Sequence, residues 1–89
     1  MTSDVLINEK IKVWAFFDET PVNGTSIFPI AVSWRRRLIR LDKLIFSSSR
    51  RVGHEKILGL VCRGENANYE LEYNTSTHSW RMRKVMSTE

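Results

Sequence analysis

The residues that could carry out chemistry are few in this chain of 89 residues. Its one cysteine, Cys62, lies inside an apolar run, whereas a reactive thiol needs an electropositive and partly exposed setting. The two histidines, His54 and His78, border predicted loops on separate hairpins, and with a single cysteine they do not make a zinc-binding set. We therefore expect Cys62 to be a buried structural residue, and we expect neither a metal site nor a cofactor.

Paired carboxylates occur only as Glu70 and Glu72, two positions apart on one face of a predicted strand. A solvated strand face explains this pair more simply than general acid–base catalysis. The chain also lacks a glycine-rich phosphate loop and the G-x-S-x-G motif of serine hydrolases. The sequence therefore predicts that the protein is not an enzyme and takes no small-molecule substrate.

Positive charge is concentrated in the middle third of the chain. The net charge is +4, and residues 34–63 hold nine of the 14 Lys and Arg residues but only two acids. A basic face favours phosphates, because binding them releases counterions and because Arg forms bidentate contacts with phosphate oxygens. Trp14 and Trp34 are candidates for stacking on bases, although Trp34 also continues an apolar alternation that predicts burial. The residues predicted to contact nucleic acid are Arg35, Arg36, Arg37, Arg40, Arg50 and Arg51.

A protein partner is the competing hypothesis. Residues 11–17 are apolar on both faces of a predicted strand, because Trp14 and Phe16 stand between the alternating apolar positions. Pro29 lacks an amide donor, which predicts a sheet edge or an irregular start for the next strand. An exposed sheet edge can pair with another chain, so the alternative function is a protein-interaction or self-associating β module that uses such an edge.

Alternation with a period of two, interrupted by turn residues every ~8–12 positions, predicts an all-β fold, a small antiparallel barrel or roll of five to six strands in meander order. Residues 34–46 also fit an amphipathic helix, so an α+β fold with a basic helix at 34–46 is the alternative. The predicted strands are 10–18, 28–34, 37–45, 54–63, 69–73 and 79–85, and 47–53 is predicted to be a polar loop. The predicted core is Val13, Phe17, Phe28, Ile30, Val32, Trp34, Ile39, Leu41, Leu58, Leu60, Tyr69, Leu71, Trp80 and Met82.

The length predicts one β domain over residues 10–85, with a loose N-terminal arm at 1–9 and a frayed tail at 86–89. No apolar run approaches the ~20 residues that a membrane-spanning helix needs. The N-terminus does not read as a signal peptide. A single cysteine favours a reducing compartment, so we expect the protein in the cytoplasm and away from membranes.

These motifs together resemble an uncharacterised family of small bacterial β domains. The resemblance spans residues 28–85. Its elements in chain order are an apolar strand ending in Trp (30–34), a basic turn (35–37), an Arg-rich aliphatic strand (38–41), a further apolar strand (58–61), a Tyr-Glu-Leu strand (69–73) and a closing Trp strand (80–85). Similar domains occur alone or at the ends of proteins that look like translesion DNA polymerases, which implies a link to nucleic acid by analogy. The chain departs from the pattern where Arg36 replaces the usual turn glycine and where serines follow Phe46.

Overall fold

The computed structural model describes residues 4–22 and 25–87, with the side chains of all but 19–22 and 25–26. These ranges contain no helix and form one antiparallel sheet of seven strands in the order β1-β7-β6-β5-β4-β3-β2. The predicted all-β class and meander order are confirmed, and the helical alternative at 34–46 is wrong. The strands number seven instead of the predicted five to six, because Asp4–Lys10 forms a further strand, and the sheet is not closed into a barrel. The strands are β1 (Asp4–Lys10), β2 (Lys12–Val22), β3 (Thr25–Trp34), β4 (Arg37–Val52), β5 (Glu55–Gly64), β6 (Ala67–Asn74) and β7 (Ser79–Ser87).

The two edge strands of this sheet are consecutive in the chain. Only Ile11 separates β1, which pairs with β7, from β2, which pairs with β3. The amide of Ile11 donates a hydrogen bond to the carbonyl of Trp80 at 3.3 Å. Two residues span at most ~7 Å, so the sheet curls until its edges meet at this point.

Both ends of the described chain differ from the prediction. The predicted loose arm is wrong over residues 4–9, which belong to β1, because Asp4 pairs with Met86 and Leu6 pairs with Lys84. The predicted frayed tail is likewise wrong at residues 86–87, because β7 continues to Ser87, which pairs with Ala67 of β6. Strands β1 and β7 lie at opposite ends of the described chain and pair with each other. Local sequence patterns do not reveal a pairing between such distant segments. Residues 1–3 and 88–89 lie outside the described part of the chain.

Strand β4 is the longest, with 16 residues, and it belongs to both halves of the curled sheet. Residues 37–40 pair with β3, and the remainder pairs with β5 after register shifts between Leu41 and Lys43 and between Leu44 and Phe46. Such bulges bend a strand and increase its twist. The predicted loop at 47–53 is wrong through Val52, since these polar residues pair with 55–60 and the turn lies at Gly53, whose φ is +62°.

The core lies on the concave side of the curled sheet. Its fully buried side chains are Val32, Leu60, Cys62, Leu71 and Met82. The prediction of burial is confirmed for Val32, Ile39, Leu41, Leu60, Tyr69, Leu71 and Met82, and partly buried side chains packed against them include Val13, Trp34, Leu58 and Trp80.

The predicted core positions of Phe17, Phe28 and Ile30 are wrong. Phe17 lies on the core side but is exposed at the sheet edge, Ile30 is exposed, and Phe28 is half-buried on the opposite side. A bulge explains the positions of Phe28 and Ile30. Trp14 pairs with Ala31 and Ala15 pairs with Pro29, so Ile30 is an extra residue in β3. Because side chains alternate, one extra residue moves every preceding apolar position to the opposite face. Ile27 and Pro29 therefore point into the core before the bulge. Pro29 is accommodated in an interior strand because the bulge interrupts the ladder at that point.

Candidate functional site

The six arginines predicted to contact nucleic acid lie along the β3–β4 turn and the full length of β4. Arg35 and Arg36 form the turn, and Arg37 and Arg40 lie in the first part of the strand. Arg50 and Arg51 are at its opposite end, beside the β4–β5 turn. Since a strand rises ~3.3 Å per residue, the two groups belong to different ends of the molecule.

The β3–β4 turn has two residues in the left-handed region. Arg35 has φ +52° and Arg36 has φ +64°, between the directly paired Trp34 and Arg37. Positive φ at both positions is the geometry of a type I′ hairpin turn, which glycine and asparagine usually provide. Arg36 thus takes a conformation that glycine or asparagine usually adopts.

Glu9 of β1 binds this turn where the two edges of the curled sheet meet. Its carboxylate accepts hydrogen bonds from Arg35 Nη2 at 2.6 Å and from the indole Nε1 of Trp34 at 2.9 Å. The guanidinium of Arg35 also lies 4.6 Å from the centre of the Trp34 ring. These contacts hold the exposed guanidinium of Arg35 against Glu9 and Trp34, so its charge is partly offset.

The Glu9 contacts predict a pH-dependent stability. The hydrogen bond from Arg35, and then that from Trp34, lower the pKa of the Glu9 carboxyl below its usual 4.5. A lowered pKa contributes stability above the unfolded-state pKa and loses it as pH falls through the folded-state pKa. We expect Glu9→Gln to melt at a lower temperature than the wild type near pH 7, and the difference to shrink below about pH 4.5.

Calorimetric melting between pH 3 and pH 7 measures this effect, with Glu55→Gln as the control. Glu55 forms no ion pair within residues 4–22 and 25–87, so near pH 7 its replacement should lower the melting temperature less than Glu9→Gln does. A Glu9→Gln difference that stays constant down to pH 3 would contradict a role for the Glu9 charge.

Arg50 is also engaged in an ion pair. Its Nη2 lies 2.7 Å from Oε2 of Glu72, which is 3.6 Å from Nε of Arg83. Glu72 thus contacts β7 through Arg83, while Glu70 is paired in register with Lys84. Within the described ranges, four of the predicted arginines form no ion pair, and these are Arg36, Arg37, Arg40 and Arg51.

One surface combines exposed aromatic side chains with Arg40, which has no ion-pair partner in the described part of the chain. On the convex side of β2, β3 and the start of β4, Trp14 pairs with Ala31, which pairs with Arg40. Directly paired residues place their side chains on the same side of a sheet. The side chains of Trp14 and Phe16 are about half exposed, at 50% and 52%. We call this surface the aromatic face, and it comprises Lys12, Trp14, Phe16, Phe28, Ile30, Ala31, Leu38 and Arg40.

The aromatic face contains a shallow depression above Ala31. It has a volume of about 410 Å³ and is lined by Trp14, Ile30, Ala31, Leu38 and Arg40. The methyl side chain of Ala31 leaves this space between the indole and the guanidinium on the flanking strands. Beside it, the rings of Phe16 and Phe28 stack with centroids 5.2 Å apart and planes at 23°. The depression therefore has an apolar floor, an aromatic wall and a cationic wall.

Sequence reasoning found only part of this face. The sequence predicts ligand contacts for Trp14 and Arg40, but it places Phe28 and Ile30 in the core. The signal available was the apolar character of both sides of residues 11–17, which indicates a partly uncovered strand. The bulge at Ile30, which brings Phe28 and Ile30 to the convex side, has only Pro29 as a sequence marker.

The residues with catalytic potential lie elsewhere and are not brought together. Cys62 is 1% exposed, and burial raises the pKa of its thiol to about 12, so the reactive thiolate is scarce at neutral pH. Nδ1 of His78 is hydrogen-bonded to the Tyr73 hydroxyl at 2.7 Å. Among the residues that the structure describes, no three of His, Cys, Asp and Glu are grouped as metal ligands. The described ranges also contain no helix that could span a membrane.

Comparisons with protein-family models, curated proteins and solved structures found no match to this chain. The resemblance to small bacterial β domains therefore stays a prediction.

Proposed function

We propose that the protein is a non-catalytic binding module that contacts single-stranded nucleic acid through the aromatic face. One observation carries the proposal, which is the row of Trp14, Ala31 and Arg40 across three adjacent strands. It sets an exposed indole on one side of a depression and, on the other, a guanidinium that forms no ion pair with any described residue. The proposal moves the predicted contact surface from the whole basic segment to the part of it that includes Arg40.

Stacking supports a single strand as the ligand. A base has two apolar faces, and an exposed aromatic ring on a sheet provides a platform for one of them. Trp14 is such a ring, and the stacked pair of Phe16 and Phe28 extends the platform along β2. Bases in a duplex are already stacked on each other, so this surface favours unpaired nucleotides.

Charge supports a polyanion as the ligand. Arg40 and Lys12 lie on the aromatic face, and neither forms an ion pair with any residue that the structure describes. Strands two apart in a sheet are ~10 Å from each other, so Arg40 lies within reach of the backbone of a nucleotide stacked on Trp14. The chain's net charge of +4 favours the approach of such a ligand. We also propose a cytoplasmic location, since the one cysteine is a buried free thiol.

An amide NMR titration with a short oligothymidylate, at low and at moderate salt, tests the proposal. We expect shifts in residues 12–16, 28–31 and 38–40 that weaken as salt rises, because phosphate contacts release counterions. Arg40→Gln should weaken binding and reduce the slope of log affinity against log salt by about 0.7, the value for one contact to a single strand.

Arg51→Gln is the matched control, because Arg51 is also exposed and unpaired among the described residues but lies at the opposite end of β4. It should leave affinity and salt slope close to those of the wild type. Equal losses in the two variants would show non-specific attraction to net charge. An absence of shifts at low salt would overturn the proposal and leave a protein ligand for the aromatic face.

A further inference from the structure

Strand β2 has an unprotected edge. It is the last strand in the sheet order and pairs only with β3 within the described part of the chain, so one side of its backbone has no partner strand. Natural sheet edges are usually blunted by lysine, proline, bulges or a covering segment. Lysine and proline stand only toward the two ends of β2, at Lys12 and Pro21, and the β2–β3 register is irregular beyond Phe17. Residues 13–17 between them contain neither lysine nor proline, and the bulge beside these residues is at Ile30 of β3.

The apolar surface at this edge continues on both sides of the sheet. Trp14 and Phe16 are exposed on the convex side, as described for the aromatic face. Phe17 alternates with them and belongs to the same side as Val13 and Ala15, which contact the core, yet Phe17 is 64% exposed. The core side is therefore uncovered at the same edge, and one partner strand could cover both sides.

We propose that a second copy of this chain pairs antiparallel with β2, about a two-fold axis at Ala15. In that register Trp14 lies opposite Phe16 of the partner subunit, and Val13 lies opposite Phe17 of the partner subunit. Lys12 at one end lies opposite Asp18 of the partner subunit, and the symmetry repeats each pair. Aromatic and apolar groups thus meet at the centre, and opposite charges meet at both ends.

Self-complementarity selects this register over its neighbours. In a continuous sheet, a residue on the convex side must pair with a residue on the convex side of the partner strand. Each alternative register therefore shifts the partner of a given residue by two positions. One such step places Lys12 opposite Phe16, and the step in the other direction places Asp18 opposite Trp14. Each alternative sets a charge against an aromatic ring, whereas the register centred on Ala15 has no such mismatch.

The dimer goes beyond the proposed function and does not depend on it. It would join two aromatic faces into one surface of six strands, since β4-β3-β2 of each subunit would meet along the two-fold axis. Sedimentation of the full chain over a wide concentration range tests association directly. We expect a monomer–dimer equilibrium, and a monomer persisting at millimolar concentration would overturn the proposal.

Charge substitutions test the register. Lys12→Glu sets a carboxylate opposite Asp18 of the partner subunit, and Asp18→Lys sets two lysines opposite each other, so each variant alone should dimerise severalfold more weakly than the wild type. An equimolar mixture of the two variants restores opposite charges at both ends, and we expect it to form a heterodimer more tightly than either variant self-associates. A mixture no tighter than its components would contradict the register.

A cross-link tests the axis. Ala15→Cys places two cysteines directly opposite each other, with Cβ atoms ~5 Å apart and within reach of a disulfide after a small adjustment. Val13→Cys is the matched control, because its two copies would be ~13 Å apart along the strands. We expect mild oxidation to yield a covalent dimer from Ala15→Cys alone, with native Cys62 buried in both variants. Equal cross-linking of the two would overturn the proposed axis.

Discussion

Leu71→Ala is expected to lower the free energy of unfolding by about 2–5 kcal/mol, the range for removing a fully buried leucine side chain. Leu71 is 0% exposed and lies in β6, between Leu60 of β5 and Met82 of β7. Both of these neighbours are also 0% exposed, so the three side chains form a row across the centre of the core. Because these side chains have close neighbours on both sides, they have little freedom to move into the cavity that Leu71→Ala leaves.

Chemical denaturation followed by tryptophan fluorescence measures this loss. A domain of this size has a total stability of roughly 5–15 kcal/mol, so Leu71→Ala could remove a large fraction of it. Leu6→Ala is the matched control, because Leu6 is 81% exposed and surface substitutions usually change stability by less than ~0.5 kcal/mol. Equal losses for the two variants would contradict the position of the core.

Trp14→Ala is expected to weaken binding of single-stranded nucleic acid by about 1–3 kcal/mol, the range for removing one stacked aromatic, which corresponds to a roughly 5- to 150-fold rise in the Kd. Trp14 is half exposed, so its replacement removes a stacking surface with little change in the core. Trp14→Phe should retain most of the affinity, since a smaller ring still stacks. Fluorescence anisotropy of a labelled oligothymidylate measures all three proteins.

Phe46→Ala is the control for exposed aromatic surface in general. Phe46 is also exposed, but it lines a different depression with Arg50 and Glu72 on the convex side of β4, β5 and β6. Its replacement should leave the affinity unchanged. Similar losses for Trp14→Ala and Phe46→Ala would indicate that the ligand does not distinguish the aromatic face from other apolar surface.

The sequence predicts the strands best where one face is buried and the other is solvated. Tyr69, Leu71 and Tyr73 alternate with Glu70 and Glu72, and β6 has the buried and half-exposed pattern that this alternation implies. Residues 34–46 fit both a strand and a helix locally. The segment forms a strand because it pairs with β3 and β5, and local sequence does not reveal those partners.

The candidate site is less predictable because it depends on pairing and curvature. One bulge at Ile30 reverses which face of β3 is buried in the residues before it. A local sequence pattern does not reveal such a bulge, because the bulge is defined by how two strands pair. The run of arginines is continuous in sequence, but a turn and a bent strand distribute it over separate surfaces. Glu9, which engages Arg35, is 26 positions away in the chain. The composition thus predicts a basic binding module, whereas the fold shows which arginines and lysines form no ion pair within residues 4–22 and 25–87.

The pairing of β1 with β7 has a consequence for how the protein folds. Six of the strands, β2 to β7, follow one another as hairpins, whose partners are close in sequence. The ladder between Asp4 and Met86 joins opposite ends of the described chain, so its closure requires the largest loss of chain entropy. We therefore expect the hairpins to form first and β1 to dock last. During synthesis on the ribosome, β1 emerges before any other strand and must wait unpaired until β7 has been made.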